Sequence, residues 1–384
     1  MDRNLCLEPA TVATVLHDER QLRITWADGH TSIFDSLWLR DNCPQDRDPR
    51  TGQRLVDIAD LPQDPKLLSV RQPDDNSLEI LWVNEPRSAQ FSLSWIRRHC
   101  YCDQHRCSTR PAAVLWRGSA DGIRRVRYSD VLRNQDALGD WLTSLIRYGI
   151  TFLSEVPCEH GRVLSVAALA GYVTETNYGR IFDVWSLPDP NHLAYTDAGL
   201  GLHTDNPYRD PVPGFQFLHC LQSSDEGGDS LFADGFAVAA DMKDRDPDVF
   251  AVLSRTPVRF TFKDADSDLT AERPLISLDH RGDTAAIHYN NRSIAPPSLP
   301  SEEMQRYYPA YRLFSQMLRD PRYIMRLRLQ LGDLVAFYNH RVLHGRTGFR
   351  DLGVRRHLQG CYVSPDGVFS TFALLHRNQQ RVPA

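Results

Sequence analysis

The sequence predicts a mainly β protein: a jelly-roll barrel (a double-stranded β-helix) with flanking helices, preceded by a small β-rich N-terminal domain. After residue 190, short aromatic-rich strands alternate with Gly, Pro and Asp turns, which is typical of closed antiparallel barrels. Before residue 100, one hairpin pattern occurs twice, which indicates a separate β domain. The length of 384 residues suits two unequal domains, which we place at 1–115 and 125–384.

The two N-terminal hairpins have the same pattern. Residues 21–40 alternate apolar and polar side chains around an Ala-Asp-Gly turn, and residues 78–98 repeat that alternation. Both copies end in a short amphipathic segment that begins with Trp and contains Arg. The polar stretch 103–124, with its Arg, Ser, Gly and Pro, is the expected linker to the second domain.

The second domain is predicted to open with helices and then become strand-rich. Residues 128–149 show helical apolar spacing and end in Gly, which predicts one helix. Residues 149–157 predict a strand, and residues 165–173 predict a brief helix capped by Ser165. The barrel strands are expected at 215–221, 230–236, 258–263, 285–291, 334–344 and 358–365, with helical insertions at 234–254 and 301–319.

Charge and hydropathy exclude several classes of function. The formal net charge of -5, with 24% charged residues, gives no electrostatic basis for binding nucleic acid or a membrane surface. No run of about 18 apolar residues is present, and the first twenty residues carry acidic side chains without an apolar signal core. The eight cysteines are sparse enough for reduced thiols. We therefore expect a cytoplasmic small-molecule enzyme.

The residues that indicate chemistry begin with His203 and Asp205. Because positions i and i+2 of a strand face the same side, both side chains are predicted to face the barrel interior. An imidazole and a carboxylate are two members of the 2-His-1-carboxylate set that binds non-haem Fe(II), and His344 is the expected third. Arg356 follows on a strand predicted to run back beside His344, where its guanidinium suits a carboxylate. This set predicts iron with a dicarboxylate cosubstrate.

Motifs along nearly the whole chain resemble those of a known family. They are WLRDNCP (38–44), NYGRIFDV (177–184), AYT and LHTD (194–205), FQFLHC (215–220), GGDS and DGF (227–236), VLHGR (342–346) and RHLQGCY (356–362). Residues 128–375 resemble the Fe(II)/2-oxoglutarate dioxygenases of the taurine dioxygenase type. With the hairpins included, the chain resembles the γ-butyrobetaine hydroxylase and trimethyllysine hydroxylase branch, which includes trimethylammonioethylphosphonate hydroxylases.

The resemblance implies roles for five residues. His203, Asp205 and His344 would bind Fe(II), and Arg356 would hold the far carboxylate of 2-oxoglutarate. Ser230, after the Gly-Gly-Asp motif, would contact the same cosubstrate. The implied reaction consumes O2 and 2-oxoglutarate and hydroxylates a substrate C–H bond. The alternative in another class is a non-catalytic quaternary-amine binding protein, which would not need an intact set of iron ligands.

The resemblance also implies a substrate that carries a trimethylammonium cation. Aromatic faces bind such a cation, each contributing roughly 0.5–2 kcal/mol. The residues that match the family's aromatic cage are Tyr178, Phe182, Tyr195 and Tyr362, and Asp183 would add a counter-charge. The alternative is that these aromatic side chains only fill the barrel core.

The other end of the implied substrate is anionic. Asn290 and Asn291 match a segment that contacts the substrate carboxylate, and His192 and Asn206 are polar residues that could face the same anion. Arg292 directly follows, and a guanidinium suits a phosphonate with its third oxygen. The alternative is that Arg292 points to solvent or to a partner subunit of a homodimer. The reference substrate is γ-butyrobetaine, giving carnitine, and the alternative is 2-(trimethylammonio)ethylphosphonate.

The N-terminal cysteines depart from the family pattern. The resemblance implies a structural zinc near Cys43, but the Cys and His residues expected to complete that site are missing, so we expect no zinc there. A second group could form a different zinc site together with Cys43. The alternative is ordinary reduced thiols. The members of the group are Cys100, Cys102, His105 and Cys107.

Overall fold

The computed structural model describes residues 11–102, 111–119, 121–185, 199–223, 227–348 and 356–379. The chain divides into two compact units, Met1–Thr109 and Arg110–Ala384. Four residues that the sequence singles out lie outside the described residues, namely His105, Cys107, His192 and Tyr195.

The N-terminal unit repeats one module, a three-stranded antiparallel sheet followed by a short helix. The predicted hairpin pair is confirmed, with one further strand in front of each hairpin. A side chain caps the start of each helix, from Asp35 in the first copy and Ser92 in the second. The elements are β1 (Val12–His17), β2 (Gln21–Trp26), β3 (Thr31–Asp35), α1 (Ser36–Asp41), β4 (Leu67–Asp74), β5 (Ser77–Trp82), β6 (Ala89–Ser92) and α2 (Leu93–Arg98).

Alternation along the strands gives this unit its core. Leu22, Ile24 and Trp26 of β2 are buried, and so are the Leu, Ile and Trp at the equivalent places of β5. Together with apolar residues of both helices they form one cluster of buried side chains. The burial of one face of each sheet explains the period-two pattern in the sequence.

The second unit begins with β7 (Arg125–Arg127), α3 (Tyr128–Arg133), α4 (Gln135–Tyr148), β8 (Ile150–Ser154) and α5 (Arg162–Ala170). The single helix predicted over 128–149 is wrong: the helix breaks at Asn134, whose side chain caps α4 by accepting the Asp136 N–H. The predicted end at Gly149 is confirmed, with a left-handed φ of 74°. The Ser165 cap is wrong, because the left-handed Gly161 already starts α5 three residues earlier.

Two sheets form the barrel. The larger runs in the order β10-β21-β12-β19-β8-β7, with β9 beside β21, and the smaller runs β11-β20-β13-β18. The jelly-roll prediction is confirmed. The strands are β9 (Val173–Thr174), β10 (Phe182–Val184), β11 (Leu200–His203), β12 (Phe215–Gln222), β13 (Ser230–Asp234), β14 (Val258–Lys263), β15 (Asp268–Arg273), β16 (Ile276–Leu278), β17 (Thr284–Ile287), β18 (Met325–Leu327), β19 (Leu334–Tyr338), β20 (Val342–Arg346) and β21 (His357–Val363).

Two strand predictions need correction. Residues 334–344 are not one strand, because a turn at 339–341 sends β19 into the larger sheet and β20 into the smaller one. The strand after Arg356, β21, does not run beside the His344 strand; it pairs with β10, β12 and β9 in the larger sheet. Arg356, just before β21, and His344, on β20, therefore lie on opposite sheets, and both line the cavity between them.

The remaining helices are α6 (Gly235–Arg245), α7 (Pro247–Arg255), α8 (Ser301–Arg319) and α9 (Pro365–Gln379). Side chains from α6, α7 and α8 pack with β14 and β16 into one apolar cluster. The predicted helical insertions are confirmed, although the first is two helices because Pro247 starts a new one after the Asp246 cap. In the described parts of the chain, no helix has the length and apolarity needed to cross a membrane.

A buried ion pair lies at one end of the smaller sheet, where β13 ends and β20 begins. Arg341 Nε and Nη2 donate to the two oxygens of Asp234 at 2.9 and 2.7 Å, and both side chains are almost fully buried. Arg341 also donates to the carbonyls of Val114 and Arg147, and Asp234 accepts the Trp116 N–H. The pair therefore ties β13 and the β19–β20 turn to the chain that precedes β7.

We predict that Asp234→Ala strongly destabilises the second unit. It leaves the Arg341 guanidinium buried without its carboxylate, which costs about 3–5 kcal/mol of unfolding free energy. Urea unfolding measures this loss. The control is Arg259→Ala, which removes a pair between half-exposed side chains and should cost less than about 1 kcal/mol. Equal losses in the two variants would contradict the prediction.

Candidate active site

Two imidazoles and one carboxylate meet between the sheets. His203 ends β11 and lies directly opposite His344 of β20, with ring centroids 4.3 Å apart. Asp205 Oδ1 lies 3.2 Å from His203 Nε2 and 3.8 Å from His344 Nε2. One ligand atom from each residue lies within 4.8 Å of the others, which is close enough to share one metal ion.

Asp205 reaches this position by a route that the sequence does not predict. It lies beyond the end of β11, in a bend, so strand alternation does not explain its direction. Asn339, in the β19–β20 turn, accepts the Asp205 N–H at 2.6 Å and donates to the Asp205 carbonyl at 3.0 Å. A buried amide on a distant turn therefore holds the backbone of the carboxylate residue. No local sequence signal identifies Asn339.

The charges of the three groups suit a divalent cation. His203 Nδ1 hydrogen-bonds the Gly201 carbonyl at 2.9 Å, which orients the ring so that Nε2, 3.2 Å from Asp205 Oδ1, is the nitrogen placed to bind a metal. Burial lowers the pKa of His344 to about 3. Burial opposes ionisation of Asp205, but His344, His203 and the Tyr362 hydroxyl outweigh it and hold the Asp205 pKa well below its usual value. Two imidazoles and one carboxylate are the facial set that non-haem Fe(II) takes.

A chain of hydrogen bonds leads away from the carboxylate. Tyr362 donates its hydroxyl to Asp205 Oδ2 at 2.8 Å and accepts from Asn206 Nδ2 at 3.2 Å. Asn206 Oδ1 accepts from the Tyr208 hydroxyl at 2.7 Å, and Tyr178 lies 3.1 Å further along. Asn206 takes the left-handed conformation, φ 53°, which Asn tolerates better than most residues. Asn206 lines the cavity, and both ends of its amide already bond tyrosine hydroxyls; its contact with a substrate anion stays a prediction.

A cavity of about 390 Å³ opens beside the three groups. One part of its wall is aromatic, and two of those rings, Tyr208 and Phe262, stack at 5.1 Å. Phe182 and Tyr362 lie 5.0 Å apart on neighbouring strands. Two of these rings were not predicted: Phe262 lies on β14, far along the chain from the other rings, and Tyr208, although close to Asp205 in sequence, matches no motif residue quoted for the family. The aromatic lining comprises Tyr178, Phe182, Tyr208, Phe262 and Tyr362, together with Phe232.

Two arginines line the same cavity and form no ion pair with a carboxylate of the described residues. Arg356 is 7% exposed, and burial lowers its pKa to about 10. Arg292 is half-buried, burial lowers its pKa, and its Nε has no hydrogen-bond partner among the described residues. Ser230 also lines the cavity, as predicted, opposite Arg346 on β20. A buried guanidinium without an anion is unfavourable, so the cavity is built to receive anionic groups.

Other predicted site residues lie elsewhere or are already bonded. Asp183 does not line the cavity: its carboxylate binds His357 at 2.7 Å and Gln359 at 3.0 Å, because its neighbour Phe182 takes the inward side of β10. Asn291 is exposed. Asn290 lines the cavity, but its amide bonds the Thr204 carbonyl and the Arg292 N–H.

The cysteine predictions are also changed. Cys43 hydrogen-bonds Gln45 and does not join the cysteines of the second group. Among the described residues, Cys100 and Cys102 are instead joined by His30, which the sequence analysis did not identify as a ligand. His30 lies 70 residues before Cys100, so only the fold brings them together.

The barrel and its 2-His-1-carboxylate set define a non-haem iron dioxygenase. Residues 108–362 match the model of the taurine catabolism dioxygenase TauD, TfdA family, and residues 13–97 match the γ-butyrobetaine hydroxylase-like N-terminal domain. The chain belongs to this family, in its γ-butyrobetaine hydroxylase-like branch, and is a 2-oxoglutarate-dependent dioxygenase.

Three curated relatives illustrate the similarity. The chain is 39% identical to γ-butyrobetaine dioxygenase of Pseudomonas sp. (strain AK-1), over 92% of this chain and 93% of the relative. It is 30% identical to γ-butyrobetaine dioxygenase of Homo sapiens, over 95% and 97%. It is also 30% identical to mitochondrial trimethyllysine dioxygenase of Gallus gallus, over 96% and 89%.

We predict that Tyr362→Phe weakens metal binding while it keeps the aromatic ring. The variant loses the hydroxyl that donates to Asp205, and loss of such a supporting bond costs about 10- to 100-fold in metal affinity. Titration of the apoprotein with Mn(II) measures the change. The matched control is Tyr178→Phe, at the far end of the same hydrogen-bond chain, which should bind Mn(II) within about threefold of the parent. Loss of affinity in the control but not in Tyr362→Phe would contradict the assignment.

Proposed function

We propose that this enzyme hydroxylates an unactivated C–H bond of a trimethylammonium zwitterion, with γ-butyrobetaine as the reference substrate and carnitine as the product. One observation carries the proposal: a single cavity beside the three metal-binding groups combines an aromatic wall with Arg356, which is buried, and Arg292, which is half-buried, and neither forms an ion pair with a carboxylate of the described residues. Two of the curated relatives are γ-butyrobetaine dioxygenases, which supports the same substrate.

In this proposal His203, Asp205 and His344 hold Fe(II), and Arg356 receives the far carboxylate of 2-oxoglutarate. Ser230 supports the same carboxylate from β13. Iron and 2-oxoglutarate, when bound, activate O2, with succinate and CO2 as the products of the cosubstrate. The protein's residues orient the two ligands and exclude water around the C–H bond.

The aromatic wall suits the trimethylammonium head. A quaternary ammonium group has no hydrogen to donate, so its main favourable contacts are with aromatic faces, at roughly 0.5–2 kcal/mol each. The hydrogen bonds among Tyr178, Tyr208 and Tyr362 engage the hydroxyls with one another and with Asn206. The ring positions are therefore fixed before a ligand enters, which reduces the entropy cost of binding.

Arg292 suits the anionic tail of the substrate. Its position in the cavity lining favours the inward orientation over a role at the surface. Asn290 Oδ1 accepts the Arg292 N–H, so this hydrogen bond fixes the backbone of Arg292 relative to Asn290. This contact supports a second candidate substrate, 2-(trimethylammonio)ethylphosphonate, because a guanidinium pairs well with a tail that carries a third oxygen and more charge.

Two further predictions belong to the same proposal. We infer that the enzyme works in the reducing cytoplasm, since the six described cysteines, Cys43, Cys100, Cys102, Cys158, Cys220 and Cys361, are free thiols. The homodimer stays a prediction, and size-exclusion chromatography with light scattering tests it.

We predict that Arg356→Met has opposite effects on stability and on cosubstrate binding. The KM for 2-oxoglutarate should rise by about 30-fold or more, because the carboxylate loses its charged partner. The apoprotein should become more stable, by about 1 kcal/mol or more, because an unpaired buried charge is removed. Succinate formation and urea unfolding measure the two effects. An unchanged KM would contradict the role of Arg356.

We predict that Arg292→Ala lowers the turnover of the two candidate substrates to different extents. Substrate-triggered O2 uptake with γ-butyrobetaine and with the phosphonate, side by side, identifies the better substrate of the parent enzyme. The variant should lose about 10- to 150-fold in kcat/KM for the preferred substrate, with a larger loss for the phosphonate than for the carboxylate.

The matched control is Lys263→Ala. Lys263 also lines the cavity, but it is exposed and paired with Asp268, so its removal should leave turnover nearly unchanged. Equal losses for both substrates in Arg292→Ala, or no loss, would contradict the assignment of Arg292 to the tail. Absence of succinate with any quaternary amine in the parent enzyme would contradict the proposed function.

A further inference from the structure

Three metal-binding side chains meet in the N-terminal unit, which contains none of the proposed iron ligands. His30 Nε2 lies 3.4 Å from Cys100 Sγ and 3.8 Å from Cys102 Sγ. His30 stands just before β3, and the two cysteines follow α2. The ligand atoms of all three residues lie within 4.8 Å of one another.

The distances agree with one shared zinc ion. With Zn–S of about 2.3 Å and Zn–N of about 2.0–2.1 Å, tetrahedral angles place a nitrogen about 3.6 Å from a bound sulfur. The two His30–sulfur distances, 3.4 and 3.8 Å, lie on either side of that value. Two donor–donor distances therefore match edges of a tetrahedral site, and the third, between the two sulfurs, is within 4.8 Å.

The residues around the three donors hold them in place. His30 donates its N–H to Asp28 Oδ1 at 3.0 Å, and its carbonyl accepts the Trp26 N–H at 2.8 Å, so the turn between β2 and β3 is fixed. Cys100 is 3% exposed and belongs to the core of the unit. A preformed set of donors lowers the cost of binding an ion.

The repeat inside this unit provides an internal comparison. Cys43 follows α1 at the same offset at which Cys100 follows α2, and Gln45 takes the place of Cys102. Cys43 donates to Gln45 Oε1 at 3.3 Å. By the same offset, Arg87, before β6, stands where the other copy has His30. The set that combines the turn of the first copy with the chain after the second helix thus carries three metal donors, and the set at the equivalent positions carries one, Cys43.

We propose that His30, Cys100 and Cys102 bind a structural zinc ion, which links the β2–β3 turn to the chain after α2. Two thiolates balance the charge of Zn²⁺, and the neutral imidazole adds the third ligand. The ion joins positions about 70 residues apart, so its binding energy contributes directly to the stability of the folded unit.

The first test counts zinc held by thiolates in the full-length protein purified without chelator. Release of zinc by an organomercurial reagent is specific to thiolate sites, so metal at the His203 set does not contribute. We expect about one zinc per chain in the parent and almost none in Cys100→Ser or Cys102→Ser. Cys43→Ser is the matched control, since it removes the buried thiol of the other repeat, and it should keep the full amount.

The second test uses Co(II) in place of zinc. Thiolate ligation gives an intense near-ultraviolet charge-transfer band, which we expect in the parent and in Cys43→Ser. His30→Ala keeps both thiols and should weaken Co(II) binding at this site by at least about tenfold. Succinate formation from 2-oxoglutarate is the check that each variant is folded.

Several results would overturn the proposal. The first is a parent protein whose thiols are reduced but which has no thiolate-bound zinc and no charge-transfer band. The second is full zinc content in Cys100→Ser. The third is loss of zinc in Cys43→Ser alone. If a cysteine variant does not fold, the titration of His30→Ala decides, because unchanged Co(II) affinity in that variant removes His30 from the site. Loss of this site leaves the proposed hydroxylation untouched, so the two proposals fail separately.

Discussion

The pairing of β11 with β20 sets the geometry of the whole site. The register places His203 opposite His344, and one extra residue on β11 between Leu200 and His203 forms a bulge that aims the imidazole inward. The strands come so close that a Cβ at Gly345 would lie 2.5 Å from the Leu200 carbonyl oxygen. Glycine at this position therefore permits the close approach on which the two-histidine face depends.

Hydrogen bonds connect the metal-binding residues to the wall of the substrate cavity. Asn339 holds the backbone of Asp205, and Asp205 in turn accepts from Tyr362. Tyr362 belongs both to the environment of the metal-binding carboxylate and to the aromatic wall. Burial, followed by the charge of Asp205, raises the pKa of Tyr362 well above its usual value, so its hydroxyl stays a donor. A change at the aromatic wall is therefore coupled to the metal-binding face.

The sequence predicts the parts of this molecule that depend on periodicity or on unusual residue types. The hairpin repeat, the barrel class and the three-residue metal set all follow from such signals. Long-range contacts are not predicted: Asn339 and Phe262 lie far along the chain from the groups that they support. Sheet order is the other limit, because the turn at 339–341 moves β20 to the opposite sheet from β21, and no local pattern records that change.

The charges that line the cavity restrict the ligands it can hold. Among the described lining residues, Asp205 is the one acid, against the guanidiniums of Arg292, Arg346 and Arg356. A divalent metal makes the excess of positive charge larger, so the ligands must bring anions. 2-Oxoglutarate supplies two carboxylates, which leaves the Arg292 guanidinium for a third. A quaternary amine without an anionic tail would satisfy the aromatic wall and leave that charge buried and unpaired. In the proposed function, selectivity for a zwitterion would therefore depend on Arg292 as much as on the aromatic rings.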